Sequence, residues 1–404
     1  MSTRVSATLS AAVSAAVSAL LTLPATTLAQ TKPPVAQFWM DVATNSMSIP
    51  GMGDMDSGEA GMMGGFFGGT KMGGGAPGKW LDTALYTRLK ASGTEGTHAI
   101  PPGLNMGNSL PLIPVVASGQ SGETREEGAE KPKGRLLFYW GCSPTVRPGQ
   151  PRELDFSRAA PDAWGKFMAG RFAPDRGAKA VTGRSVWPNE RDRQRVPNNA
   201  SLKGDHAVSG EGVPASLRFA LQDAYDFMPK LQMSTAGDPK ASVNVSWQSI
   251  NAAQGYFLSA MGARGEEEMI IWSSSDQPDP GWGLMDYLVP AQVKKLIGEK
   301  VVLAPEIQKC AIPAGIFGGV EGAMVRMIAY GPELNLAHPP RPENPKAAWN
   351  PEWAARVRVK STGMTLLGMD EQNTGRASPG KTKAESAEPG MPSIGGVLKG
   401  LFGQ

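Results

Sequence analysis

Residues 243–275 read VNVSWQSINAAQGYFLSAMGARGEEEMIIWSSS. Val243, Val245 and Trp247 alternate with Asn244 and Ser246, the two-residue period of a strand buried on one face. A second apolar run follows Gly255 at residues 256–261, and a third, 268–273, follows the turn at 263–266. Three short runs of this kind, rich in β-branched and aromatic residues and separated by turn formers, decide for a β fold.

Working downstream, Pro290 opens a short helix that carries Val293, Leu296 and Ile297 on one stripe. Residues 301–303, 309–312, 324–330 and 357–359 add further short strands. Many brief strands joined by a single helix predict an antiparallel β-sandwich over 233–370. Upstream, 136–140 (LLFYW) reads as a buried strand leading to Cys142, and 38–42 sets Phe38, Met40 and Val42 on one face. Residues 80–90 alternate with Leu85, Thr87 and Leu89 inward, and 216–221 read as another strand. Between these lie irregular connections at 93–135 and 161–205. Residues 45–78 are rich in Gly and carry Met at 47, 52, 55, 62, 63 and 72, a composition too costly in entropy to hold one conformation unaided. The expected plan is therefore mainly β. A loop-rich β domain over 30–232, containing the flexible Gly/Met-rich segment 45–78, precedes the 233–370 sandwich and a polar, disordered tail at 371–404.

The string VNVSWQSINAAQGYFLSAMGA…MIIWSSS resembles the B, C and C′ strands of a fibronectin type III or other immunoglobulin-like domain. On that resemblance Trp247 is the core tryptophan and Tyr256 opens the next strand; fold is implied, function is not. The chain as a whole resembles a family of uncharacterised exported proteins of Gram-negative bacteria through RVPNNASLKGDH (195–206), WSSSDQPDPGWGLMDYLVPAQV (272–293) and ELNLAHPPRPENPKAAWNPEW (333–353). That resemblance implies export and no activity.

The residues themselves point the same way. Arg4 precedes an uncharged run rich in Ala, Val and Leu, which ends at Pro24 and the small residues before Gln30, the pattern of a signal peptide over 1–29 cut after Ala29. Serines and threonines dilute the run below a lasting span, and no later segment is apolar for long enough to cross a membrane. The expected address is periplasmic or secreted. There, an even cysteine count predicts a disulfide between Cys142 and Cys310.

Composition narrows the chemistry. With 40 Lys+Arg against 37 Asp+Glu the formal charge is +3, which argues against a nucleic-acid binder. Histidines are confined to His98, His206 and His338, with no GxSxG elbow, HExxH or CxxC, so neither a Ser-His-Asp centre nor a zinc site has support and no cofactor is expected. Asp276, Asp279 and Asp286 offer carboxylates for an enzyme acting on glycans, although such acids equally cap turns. Met47, Met52, Met55, Met62 and Met63 are soft ligands suited to Cu(I), or adaptable partner contacts; a plain floppy insertion accounts for them as well. Residues 171–195 hold seven basic side chains against three acidic ones, a local +4 able to meet an acidic glycan or a lipid headgroup, though such stretches are more often solvated loops. Trp187, Trp282, Trp349 and Trp353 stand in Pro/Gly-rich sequence where they are able to stack on sugars. Finally, Ile394, Val397, Leu398, Leu401 and Phe402 fall at helical spacing after Ser393, a short amphipathic helix that needs a surface to dock on. Together these features predict a non-enzymatic, envelope-associated interaction protein whose partner is an envelope protein or glycan.

Overall fold

The computed structural model describes residues 32–49, 53–54, 70, 76–116, 134–160, 162–320, 322–344 and 346–367. The first-half strands are β1 (Ala36–Ile49), β2 (Gly53–Asp54), β3 (Gly78–Thr87), β4 (Gly96–Ala99), β5 (Ser109–Pro114), β6 (Arg135–Trp140), β7 (Arg152–Asp155), β8 (Ser185–Trp187), β9 (Gly204–Gly210) and β10 (Arg218–Leu221). The second half adds β11 (Met233–Ala236), β12 (Val243–Trp247), β13 (Gly255–Arg264), β14 (Glu268–Ser273), β15 (Lys309–Ile312), β16 (Ala323–His338) and β17 (Trp353–Leu367). Among the described residues two α-helices, α1 (Ala163–Phe167) and α2 (Pro290–Gly298), complete the set; the sequence pattern predicts α2 but not α1.

The frame is mainly β, but its large sheet is mixed. Strands β16 and β17 form a long antiparallel hairpin, and β1 lies parallel to β17 with Ala36 opposite Trp353 and Ser48 opposite Thr365. From there the sheet runs β10-β9-β4-β5-β8-β3-β1-β17-β16-β13-β14-β6-β7, with β14 and β6 as a second parallel pair. A separate three-stranded antiparallel sheet orders β11-β12-β15. The large sheet thus takes strands from both sides of residue 232. Parallel pairs need both faces covered, and β1 and β17 are accordingly buried along most of their length.

One face carries Phe38, Met40 and Val42 of β1, Val357 and Val359 of β17, and Tyr256 and Leu258 of β13 in a single core. So long a sheet curls under its own twist. The β4-β9-β10 end folds back, bringing His98 within 5.0 Å and Phe219 within 6.2 Å of the Phe38 ring centre. The small sheet covers the other end, where Trp247 meets Tyr256 edge-on at 5.5 Å. On the opposite face, α2 lays Val293 and Leu296 over Phe257, Ile328 and Tyr330, while Phe167 of α1 packs on Phe138.

Several local expectations change. The 93–135 connection contains β4 and β5; β1 runs on to Ile49, so residues 45–49 of the expected loop are strand. The 80–90 strand ends at Thr87, and Leu89 sits in a 3-10 turn, 62% exposed. The predicted strands 324–330 and 357–359 are parts of β16 and β17, which are 16 and 15 residues long.

Candidate functional site: an arginine-bearing cleft beside a buried ionic row

Strand β8 is three residues long, and where it ends the sheet opens. The chain leaves at Pro188, loops outward and returns at Val196, which bridges to Lys79 of β3. Asn189 fixes this excursion. Its Nδ2 donates to the carbonyls of Val186 (2.8 Å) and Pro111 (2.7 Å), and its Oδ1 accepts from the backbone N–H groups of Arg191 and Asp192. Beneath the loop lies an open cleft of about 800 Å³, bounded by the start of β3, the end of β5 and residues 186–198. Its volume suits an organic ligand.

Arg191, Arg193 and Arg195 line the cleft against one acid, Glu190. Arg191 holds Glu95 at 2.8 Å, with both side chains more than 60% exposed, so solvent screens this pair and it adds little to stability. Lys79 also lines the cleft, but its ammonium donates to the Ala200 carbonyl (2.6 Å) and lies over Phe227; burial moves its pKa down, opposed by Asp226. Trp80 is half-buried with its Nε1 held by the Ala76 carbonyl at 2.7 Å, which fixes the ring at the cleft wall.

Across β8 a second cavity, about 530 Å³, is lined by Asp82, Asp175, Lys179 and Asp286. It adjoins a row of charges lying across the sheet. Register places Asp82 of β3 opposite Asp41 of β1, Asp41 opposite Arg358 of β17, and Arg358 opposite Glu333 of β16. Asp41 and Arg358 form a two-point pair, 2.7 Å at each contact, with side chains 1% and 4% exposed. Burial works against the charge of Arg358, yet its hydrogen bonds to Asp41 prevail and hold its pKa above the ordinary arginine value. Tyr287 stacks beneath both Arg358 (4.3 Å) and Lys360 (4.4 Å), and burial pushes its phenol pKa well up.

Residues 168–184 cross this row as a strap held mainly by polar contacts. Arg171 binds Asp279 (3.1 Å) and Glu299 (2.8 Å), Arg176 reaches Glu333 (3.4 Å), and the Ala178 N–H donates to Asp41 (3.0 Å). Gly177 sits so close that a Cβ there would stand 1.6 Å from Arg358 Nη2. The expected basic stretch 171–195 therefore divides: Arg171, Arg176 and Arg184 secure the strap, Arg184 capping Trp39 at 4.0 Å, while the last three arginines line the cleft.

His98 lies in β4, His206 in β9, and His338 is the last residue of β16. His98 and His206 meet at 3.0 Å in the core, His98 edge-on to Phe38 and His206 stacked on Phe219. The Leu202 carbonyl accepts from His206 Nε2 (2.8 Å), so His206 Nδ1 accepts from His98 Nε2 and leaves His98 Nδ1 buried without a hydrogen-bond partner among the described residues. Burial lowers both pKa values, that of His98 strongly. His338 stacks on Trp353 at 6.0 Å.

The three aspartates are each bound to a different cation, Asp276 to Arg147, Asp279 to Arg171 and Asp286 to Lys360. Of the four tryptophans read as sugar platforms, Trp187 is 2% and Trp353 5% exposed, Trp282 packs on the β6–α1 cluster, and Trp349 is pinned to the Pro339 carbonyl. Trp80, not among the four, lines the cleft. Its position in a strand of alternating residues hid it, and the only sequence signal was its place beside the 45–78 segment.

Cys142 and Cys310 are joined, with Cα atoms 5.0 Å apart, and tie the end of β6 in the large sheet to β15 in the small one. The expected signal peptide over 1–29, Met52, Met55, Met62 and Met63, and the expected helix with Ile394, Val397, Leu398, Leu401 and Phe402 lie outside the described residues; Met47 is a buried residue of β1. No helix among the described residues is long and apolar enough to cross a membrane. No protein-family model matches the chain, and no curated protein matches it in sequence.

Proposed function

We propose that the protein is an exported, non-enzymatic binding module of the cell envelope that engages its partner through the β3–β8 cleft. The observation that carries this reading is the cleft itself: an open, fixed-wall concavity edged by three arginines on a loop shaped by Asn189. The histidines His98 and His206 and the aspartates Asp276, Asp279 and Asp286 are held in separate structural contacts. The leader at 1–29 and the disulfide support a periplasmic or secreted address. The facing of β12 against β13, with Trp247 between them, supports reading 233–370 as an immunoglobulin-like sandwich whose outer sheet is extended by β1 and β6.

The test is capture from envelope extracts by the oxidised full chain and by a variant carrying Arg191→Glu and Arg193→Glu. A discrete component retained by the first and lost by the second is expected. Equal retention by both, or none by either, would overturn the reading.

A further inference from the structure

We infer that the cleft takes an anionic glycan, a sugar chain bearing carboxylate or sulfate groups. The inference rests on the cleft being the binding site, and it names the ligand from what lines that cleft. The lining carries an excess of positive charge: Arg191, Arg193 and Arg195 line the cleft against Glu190, with Asp192 on the same loop outside the lining, in a molecule whose formal charge over 404 residues is only +3. A general polyanion binder spreads its basic surface more widely. Guanidinium groups offer planar forks that match a carboxylate or sulfate in two contacts, a geometry ammonium groups lack.

The rest of the wall fits a sugar. Trp80 supplies an aromatic plate whose Nε1 is already satisfied, leaving the ring as the group presented to a ligand's C–H face. Exposed Gln194 and Asn198 add amides suited to hydroxyl groups. Val115 and Val116, the latter 82% exposed, extend an apolar rim at the end of β5. At about 800 Å³ and open to solvent, the cleft has room for a few sugar rings. A flat lipid surface would leave this concavity unfilled.

Calorimetric titration of the full oxidised chain with polygalacturonate, heparin and neutral dextran tests the inference. Binding to one or both anionic chains and none to dextran is expected. Which of the two binds more tightly separates carboxylate from sulfate recognition. Affinity should fall at least tenfold between 50 and 300 mM salt, and at least tenfold in the Arg191→Glu/Arg193→Glu variant. A control with the same charge change at the remote exposed residues Lys294 and Lys346 should bind as the wild type does. Trp80→Leu should weaken binding severalfold; its melting curve, compared with the wild type, separates a lost plate from a lost fold. Equal binding to dextran, equal loss in the remote control, or no binding to any of the three would overturn the inference. In the last case, continued arginine-dependent capture from envelope extracts would leave the cleft as a binding site for another class of partner.

Discussion

Asp41→Ala is the sharpest perturbation of the frame. Asp41 gives both carboxylate oxygens to Arg358 and accepts the Ala178 N–H, all in a layer closed to solvent. Removing one member of a buried pair leaves the other charged and dry, which costs about 3–5 kcal/mol. The loss of the Ala178 hydrogen bond adds about 1 kcal/mol. Tyr287, 4.3 Å from the Arg358 guanidinium, still attracts it and offsets about 1–2 kcal/mol. The net expectation is a loss of about 3–4 kcal/mol, read as a fall of about 1 M in the urea midpoint of the oxidised protein. Changing both partners, Asp41→Leu with Arg358→Met, removes the charges together and should recover most of that loss. The strap should also open in the single variant, exposing residues 168–184 to limited proteolysis while the β16–β17 hairpin stays resistant. A single variant within about 1 kcal/mol of wild type, or a double variant no better than the single, would refute the reasoning.

Other perturbations have equally definite outcomes. His98 and His206 are held neutral, with pKa values below that of a free histidine, so the unfolded chain takes up protons first as pH falls. Stability should therefore be full above about pH 6.5 and decline below it, and His98→Phe should flatten that decline in urea midpoints measured from pH 7.5 to 5. Replacing Cys142 and Cys310 together by Ser frees a loop spanning 168 positions and should lower stability by up to about 5 kcal/mol, while thiol titration of the unreduced, unfolded wild type should find none reactive. Gly177→Ala places a methyl group against Arg358 and should destabilise by about 1–3 kcal/mol, seen as earlier unfolding and cleavage within the strap.

What the sequence revealed was governed by short-range pattern. The alternation of Val243, Val245 and Trp247 located β12, the run ending at Trp140 located β6, and the even count of two cysteines pointed to the disulfide. Long-range pairing left no such trace. The match of β1 to β17 joins residues more than 300 positions apart, and nothing local to Arg358 and Lys360 shows that both are buried. The Gly331-Pro332 step cut β16 short in the pattern, whereas in the sheet it is a register shift that the hairpin absorbs. The site was legible in composition alone: the basic stretch 171–195 is visible, but its division into strap and cleft depends on where β8 stops. Trp187 looked like a loop residue because Pro188 follows it, yet it faces the core opposite Thr83.

Hydrogen–deuterium exchange of the oxidised full chain, with and without saturating anionic glycan, tests the central claim most directly, because it locates the contact without assuming it. The account predicts slowed exchange confined to residues 78–81, 113–116 and 186–198, the three walls of the cleft. Protection centred on the strap or on residues 393–404, with those walls unchanged, would contradict it.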